Sequence, residues 1–524
     1  MNKSTLLTDE QMQRFLVDGY LTVEAAFPTP VHQEIYQGLE EVFEKEKNPG
    51  NNILPRVTQL QQVFDHPAVQ GALTSLLGPD YLMHSHRHCH LNPPGSKGQQ
   101  WHKDNYVFDE ILRQPRPRWV FAFYYPQDVT VDMGPTSIIP GRHYYHYLSD
   151  ADPANTVETA LPLCGPAGTV ALVHYDAWHR AAANQSDKKR YMLKFLFERM
   201  AEPHTPTWDN QVADWQAIAG DCHRAVNATV WHWLAGHQAT PGKGASRNGT
   251  GKEMVATTDA VARLTTDLTA TEEATRTQAA NDLAHLGVAA LPAAPQLLAA
   301  LCDPAEAVRL NAAHALGAVG EPVIPALITA LAAEAIAMAD QISAKMPGNP
   351  RGSNPPACFA AQSLAAIGQP AVAPLVSLLQ HDHWCVRAMA ADTLGNLGQP
   401  AHAATAAVAA LLDDDHPRVR RHAAEALGRF GPGAATAVPA LIAHVRDPDM
   451  RVRYNVALAL AKIGAPDDNA IPPLVETLAD DDRYVRYFAG VALRRLGTPA
   501  AQAALLDHLF TARWCPLTTK ESMY

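Results

Sequence analysis

The sequence has no CxxC pair, and its seven cysteines are scattered over 524 residues. That scarcity excludes a zinc cluster built on thiolates and a disulfide framework, and reduced thiols in a cytoplasmic protein are expected. Positive charge is not in excess: 42 Lys and Arg stand against 53 Asp and Glu, for a net charge of -11. A general attraction to nucleic acid or to an anionic membrane is therefore not expected. No apolar run is read as reaching the roughly 18 residues that span a bilayer. The opening "MNKSTLLTDEQMQRF" lacks a signal-peptide core. The length suits two or three domains.

Aromatic residues thin out along the chain: seven of the nine tryptophans precede residue 240, whereas alanine is concentrated after residue 280. Two different folds are implied. Residues 239–255, which include "ATPGKGASRNGTGKE", have little to bury and read as a flexible linker between domains at 1–238 and 256–512. The second domain repeats. Leu283, Leu316, Leu364, Leu394, Leu427, Leu460 and Leu493 sit in similar phrases, at steps of 33, 48, 30, 33, 33 and 33 residues. The long step holds an insertion near Met338–Pro356, with "PGNPRGSNPP", expected as a protruding loop. Asp303/Arg309, Asp414/Arg420, Asp447/Arg453 and Asp480/Arg486 share one spacing. The Asp is expected to cap a helix, and the Arg to reach back to it or to its neighbour in the stack. His381 replaces the Asp before Arg387, so that rung should be weaker. About seven helix pairs should stack as an α-solenoid. The pattern resembles HEAT repeats, including the short variety found in phycobilin lyases, and it specifies architecture rather than activity.

The first domain mixes helix and strand. "TDEQMQRFLVDGYLTVEAAF" reads as a helix capped at Thr8 that turns at Gly19 into a strand, and Val31–Lys45 as a second helix. "YLMHSHRHCHL", "RWVFAFYYPQDV", "TSIIPG", "GTVALVHY" and "RYMLKFLFERM" then read as strands of a barrel or sandwich. In "WHKDN", His102 and Asp104 stand at i and i+2, which on a strand share a face. His179 lies further on, with Arg190 eleven residues beyond it. Two histidines and one carboxylate make the facial triad of non-haem Fe(II) oxygenases, with three sites left open. An arginine one strand away can fork onto the far carboxylate of 2-oxoglutarate.

Three segments carry a resemblance: "WHKDN", "DMGPTSIIPGRH" and "HRAAANQSDKKR". Roughly Thr8–Met200 resembles the phytanoyl-CoA dioxygenase family of Fe(II)/2-oxoglutarate-dependent oxygenases. The resemblance implies a double-stranded β-helix (jelly-roll) core with flanking helices. It makes His102, Asp104 and His179 the iron ligands and catalytic residues, and Arg190 the anchor of 2-oxoglutarate, with O2 as second cosubstrate. Two positions depart from the pattern. Arg142 replaces the usual Ser, and Ala181 stands where several relatives carry a Ser that touches the cosubstrate; Ser186 or a tyrosine is a candidate substitute. Related iron halogenases place Gly or Ala where Asp104 stands, so the carboxylate favours hydroxylation.

Four histidines alternate just before this motif: His84, His86, His88 and His90. They are expected on one strand face, with one or two directed inward and none on the metal; a cupin-like site lacks its downstream Glu. His90 is the best candidate for touching the cosubstrate. Asn105, Tyr106 and Arg118 are candidates for substrate contact. Trp101, Trp178, His143 and His174 read as packing residues, and "TWDNQVADWQAIAGDCHRAVNATVWHWLAGH" as a helical closing segment. The function expected is hydroxylation of a small-molecule substrate with conversion of 2-oxoglutarate to succinate. The alternatives are a hydroxylase of a protein or carrier-bound substrate recruited by the solenoid, and a non-catalytic scaffold with a degenerate oxygenase domain.

Overall fold

The computed structural model describes residues 3–104, 114–148, 160–236, 258–345, 358–464 and 467–511. Asn105, Tyr106 and the 239–255 linker lie outside these. Two compact units are present, Met1–Ala371 and Val372–Tyr524.

In the first unit, α1 (Asp9–Asp18) begins with the expected capping box between Thr8 and Gln11 and ends at Gly19, whose φ is +79°. A Cβ at Gly19 would lie 2.5 Å from His143 Nδ1, so the turn needs glycine for space as well as for φ. Helices α2 (Thr29–Glu46), α3 (Leu60–Asp65) and α4 (Pro67–Leu77) follow β1 (Tyr20–Val23). The remaining strands are β2 (Tyr81–Asn92), β3 (Trp119–Tyr124), β4 (Thr136–Ile138), β5 (Leu161–Pro162), β6 (Val170–His174), β7 (His179–Ala181) and β8 (Arg190–Arg199). They form two antiparallel sheets, β1-β6-β3-β8-β2 and β5-β4-β7, the walls of a jelly roll.

Strand β8 is buried along its whole length, and its alternation decides what faces the interior. Met192 and Leu196 join the core with Phe121, Phe123 and Ile138. Tyr191, Phe195 and Phe197 pack outward on Phe43 and Phe64 of α2 and α3. Arg190 and Lys194 share the parity of Met192 and Leu196, so both point inward.

The closing segment is less helical than its tryptophan spacing suggests. Only α5 (Arg224–Leu234) is a helix, and residues 206–223 are irregular. Trp208 and Trp215 pack on Trp231 at 4.9 and 5.7 Å between centroids. Beyond it come α6 (Thr258–Asp267), α7 (Glu273–Leu286), α8 (Ala294–Ala300), α9 (Glu306–Val319), α10 (Ile324–Lys345) and α11 (Phe359–Ile367). Helix α10 continues through Met338–Lys345, where a loop was expected, because that stretch lacks Gly and Pro; 346–357 lie outside the described residues. Contacts do not part at the linker. Asn281 and Asn311, on α7 and α9, both donate to Cys222 O, and Arg224 pairs with Asp282 at 3.1 Å. The first helix pairs therefore belong to the same compact unit as the jelly roll.

The second unit contains α12 (Val372–Leu378), α13 (Trp384–Leu397), α14 (Thr405–Ala410), α15 (Pro417–Phe430), α16 (Val438–Ala443), α17 (Met450–Ile463), α18 (Ile471–Thr477), α19 (Arg483–Leu496) and α20 (Pro499–Thr511). Its rungs use both ends of each arginine. Arg420 donates to the main-chain oxygen of Asp414 at 2.9 Å and forks onto Asp447 of the next repeat at 2.7 and 2.9 Å. Arg453 treats Asp447 and Asp480 alike. The rung at His381 is not weakened as expected. Arg387 bonds His381 O at 2.9 Å, a main-chain acceptor that any residue supplies, and forks onto Asp414.

Two helical stretches, Glu273–Ala300 and Glu321–Ala339, do meet the length and composition of a membrane span, contrary to the sequence reading. The first turns at Gly287 with φ +57°, and Leu283, Leu297, Leu327 and Leu331 are buried inside the repeats.

Candidate metal centre

His102 does not lie on a regular strand. It forms an isolated bridge to His179, the first residue of β7, through two backbone hydrogen bonds of 3.0 and 3.1 Å. That bridge, rather than strand alternation, brings the two imidazoles to 4.5 Å between centroids. Asp104 completes the group: one ligand atom from each of the three residues lies within 4.8 Å of the others. The His179 Nε2 to Asp104 Oδ2 distance is 3.7 Å. Each imidazole is oriented by a carbonyl: His102 Nδ1 donates to Gln100 O at 2.9 Å and His179 Nδ1 to Ala177 O at 3.0 Å. A carbonyl only accepts, so both Nδ1 atoms carry the proton and both Nε2 lone pairs are free for a metal. Burial between Phe121 and Phe123 pulls the His179 pKa down to about 4, so its imidazole is neutral at pH 7. Burial alone would raise the Asp104 pKa. Lys194, donating from Nζ at 2.7 Å, and the two imidazoles more than reverse this and hold it well below the carboxylate range. Two imidazoles and one carboxylate whose ligand atoms converge in this way fit a divalent iron.

The β2 histidines do not fall on the one regular face that the sequence suggests. Pairing with β8 shifts between Met83 and Arg87, a bulge that breaks the alternation where His84 and His86 lie. His84 is buried, and its Nδ1 accepts from the His86 N–H at 3.0 Å. Beyond the bulge His88 pairs with Lys194 and His90 with Met192, so both face inward. Burial, with Lys194 nearby, lowers the His86 pKa to about 2 and keeps His90 neutral. The Nε2 atom of His90 has no hydrogen-bond partner among the described residues.

Arg190 lies at the end of the same interior. Its Nε and Nη2 donate to Gly134 O at 3.1 and 2.7 Å, while the buried Nη1 has no partner among the described residues. A buried donor left open on a fixed guanidinium suits the carboxylate of 2-oxoglutarate. Tyr125 lies beside it, whereas Ser186 is spent in the following turn, donating to Asn184 Oδ1. The Tyr125 hydroxyl accepts from the Thr136 N–H at 3.3 Å. Asn184 ties Asn92 O and Lys188 O together, and Asn92 in turn holds Gly134 O and Ala182 O. Gly134 has φ +66°, and a Cβ there would meet Asn92 Nδ2 at 2.5 Å and Ala182 O at 2.6 Å. Gly134→Ala is expected to destabilise the domain by about 2–5 kcal/mol, from the strained φ and the clash together. An unchanged urea midpoint would show that the turn can open without cost.

Arg118 is engaged away from the triad. Its Nε and Nη2 fork onto Glu202 at 3.0 and 3.2 Å, and the guanidinium lies over the Trp233 ring. Trp178 packs with Ile139 and donates to Tyr145 O, and Trp101 borders the same cluster. His143 and His174 are buried 4.9 Å apart beside α1. Lys194 escaped the sequence reading. Its signal is a single lysine of inward parity in the otherwise apolar run "RYMLKFLF".

This geometry accords with the family comparison, in which residues 6–192 match the model of phytanoyl-CoA dioxygenase (PhyH). The chain carries a phytanoyl-CoA dioxygenase domain followed by HEAT repeats. The repeat models match residues 294–322, 356–416 and 404–469. No curated protein matches the chain. Among solved structures it is similar to the nickel complex of the non-heme monooxygenase ThoJ, at 19% identity over 38% of this chain and 84% of that one, TM-score 0.30. It is also similar to the non-heme alpha-ketoglutarate-dependent carbocyclase SnoK, at 20% identity over 37% and 85%, TM-score 0.32. The epimerase SnoN, in complex with Fe3+, alpha ketoglutarate and nogalamycin RO, matches at 15% identity over 37% and 84%, TM-score 0.31. All three scores are low, and the assignment of the PhyH domain rests on the family model.

Proposed function

We propose that the PhyH domain is an Fe(II)/2-oxoglutarate-dependent dioxygenase that hydroxylates a small-molecule substrate, with conversion of 2-oxoglutarate to succinate. The observation that carries this reading is the triad His102, Asp104 and His179, with both imidazoles tautomerically fixed toward the metal side. Iron bound there supplies the means of coupling O2 and 2-oxoglutarate to cleavage of a substrate C–H bond. The chain's own residues would do the rest. Arg190 binds the far carboxylate through Nη1 while Gly134 O fixes its plane. His90, neutral and open at Nε2, faces the space between Arg190 and Lys194. Phe121 and Phe123 keep water from the His179 side. Lys194 offsets the charge of Asp104 and holds one of its oxygens. A carboxylate at Asp104 leaves no vacancy for a halide, which favours hydroxylation over halogenation. Engagement of α7 and α9 with the segment around Cys222 supports a structural role for the first repeats over recruitment of a large partner. The test is O2-dependent succinate formation by the iron-loaded full chain, with and without a panel of small metabolites. Iron uptake without any consumption of 2-oxoglutarate would count against the proposal.

A further inference from the structure

Glu306, the first residue of α9, belongs to the repeats, yet its carboxylate is buried against a loop of the jelly roll. Oε1 accepts from the His146 N–H at 2.6 Å and Oε2 from the Tyr147 N–H at 3.1 Å. The two carboxylate oxygens thus take two consecutive amides, 160 and 159 residues away. Charge-assisted bonds of this kind fix a backbone more firmly than neutral ones.

The same loop holds the residues next to every member of the metal group. Lys103, between His102 and Asp104, donates from Nζ to His143 O at 2.7 Å and lies 5.5 Å from the centre of the Trp178 ring. Trp178, which precedes His179, donates from Nε1 to Tyr145 O at 3.0 Å. One short loop therefore receives Glu306 on its amides and holds both ligand segments on its carbonyls. A second strut comes from the same helix: Asn311 bonds His223, whose ring stands 5.3 Å from that of Tyr145.

We propose that Glu306 is a positioning residue of the oxygenase, through which the repeats set the geometry of the metal centre by clamping loop 143–147. The inference rests on the metal reading above. Glu306 touches neither metal nor substrate; it acts through main-chain atoms that Lys103 and Trp178 depend on. Removing a partner bonded directly to a metal ligand changes metal affinity by about 10–100-fold, and a clamp one step further out should act at the lower end of that range.

The test uses the full chain with Glu306→Ala and Glu306→Gln. Asp282→Ala is the control: it breaks the Arg224–Asp282 ion pair between α5 and α7 without touching the loop. Hydrogen exchange is measured without metal in peptides covering 100–104, 143–147 and 177–180. Anaerobic Co(II) titration, followed by the visible bands that report coordination geometry, is the second arm. Glu306→Ala should speed exchange in all three segments, weaken Co(II) about tenfold and alter its spectrum. Glu306→Gln, which keeps one acceptor, should fall between, and Asp282→Ala should change neither. Faster exchange confined to 143–147 with unaltered Co(II) binding would overturn the proposal. So would an Asp282→Ala variant that reproduces the effect. If the unmodified chain takes up no Co(II), the metal reading fails, and the exchange pattern alone decides the clamp.

Discussion

His179→Ala is expected to abolish metal binding at one equivalent of Fe(II) and with it all turnover, and Asp104→Ala and His102→Ala should do the same. Losing an outer-shell partner already costs about 10–100-fold in metal affinity, so losing a ligand should cost more than that. The tautomers make the case specific. Gln100 O and Ala177 O hold both Nδ1 protons, so neither ring can swing its other nitrogen to the metal without breaking a hydrogen bond. The neighbouring histidines supply no replacement. His84 lies in the bulge of β2, where its Nδ1 accepts from the His86 N–H, and none of the four β2 histidines shares the 4.8 Å group of ligand atoms. His84→Ala and His86→Ala should therefore keep one iron per chain, and His90→Ala should mainly raise the 2-oxoglutarate requirement. Iron content after anaerobic reconstitution decides each case. Loss of iron in the His84 or His86 variant, with the fold preserved, would put the site on the wrong histidines.

Arg190→Ala should leave iron in place and weaken 2-oxoglutarate by about 2–4 kcal/mol, roughly thirty- to several-hundred-fold. The guanidinium is 1% exposed, so solvent does little to screen it. Its Nε and Nη2 are held by Gly134 O, and Nη1 has no partner among the described residues, which makes Nη1 the nitrogen placed to meet a carboxylate. Arg190→Lys keeps the charge and loses the fork, and should fall between the two. An unaltered 2-oxoglutarate affinity in Arg190→Ala would remove the residue from this role.

The parts of this site that were legible in the sequence are those that local spacing fixes. His102 and Asp104 lie two residues apart, and Arg190 follows His179 onto the next strand, which was enough to single the residues out, although the isolated bridge that joins His102 to His179 was not foreseen. The parts that were not legible depend on partners distant in the chain. Arg118 looked available until Glu202, 84 residues away, took its Nε and Nη2. Glu306 reads as an ordinary first-turn helix acid, and only the fold brings it to His146. The alternating histidines predicted one regular face, and a bulge that no residue type announces broke it. Alanine content and repeat spacing located the helix pairs correctly. They could not show that α7 and α9 pack on the segment around Cys222 and α5, because that depends on which buried amides remain to be satisfied.

The most direct measurement is an anaerobic titration of the Fe(II)-loaded full chain with 2-oxoglutarate, followed by the metal-to-ligand charge-transfer absorption of the chelated cosubstrate. The account predicts a band that saturates at one cosubstrate per iron and one iron per chain, needs far more 2-oxoglutarate in Arg190→Ala, and is absent from His179→Ala. A chain that binds one iron and gives no band at any 2-oxoglutarate concentration, or a His179→Ala variant that still shows it, would contradict the account.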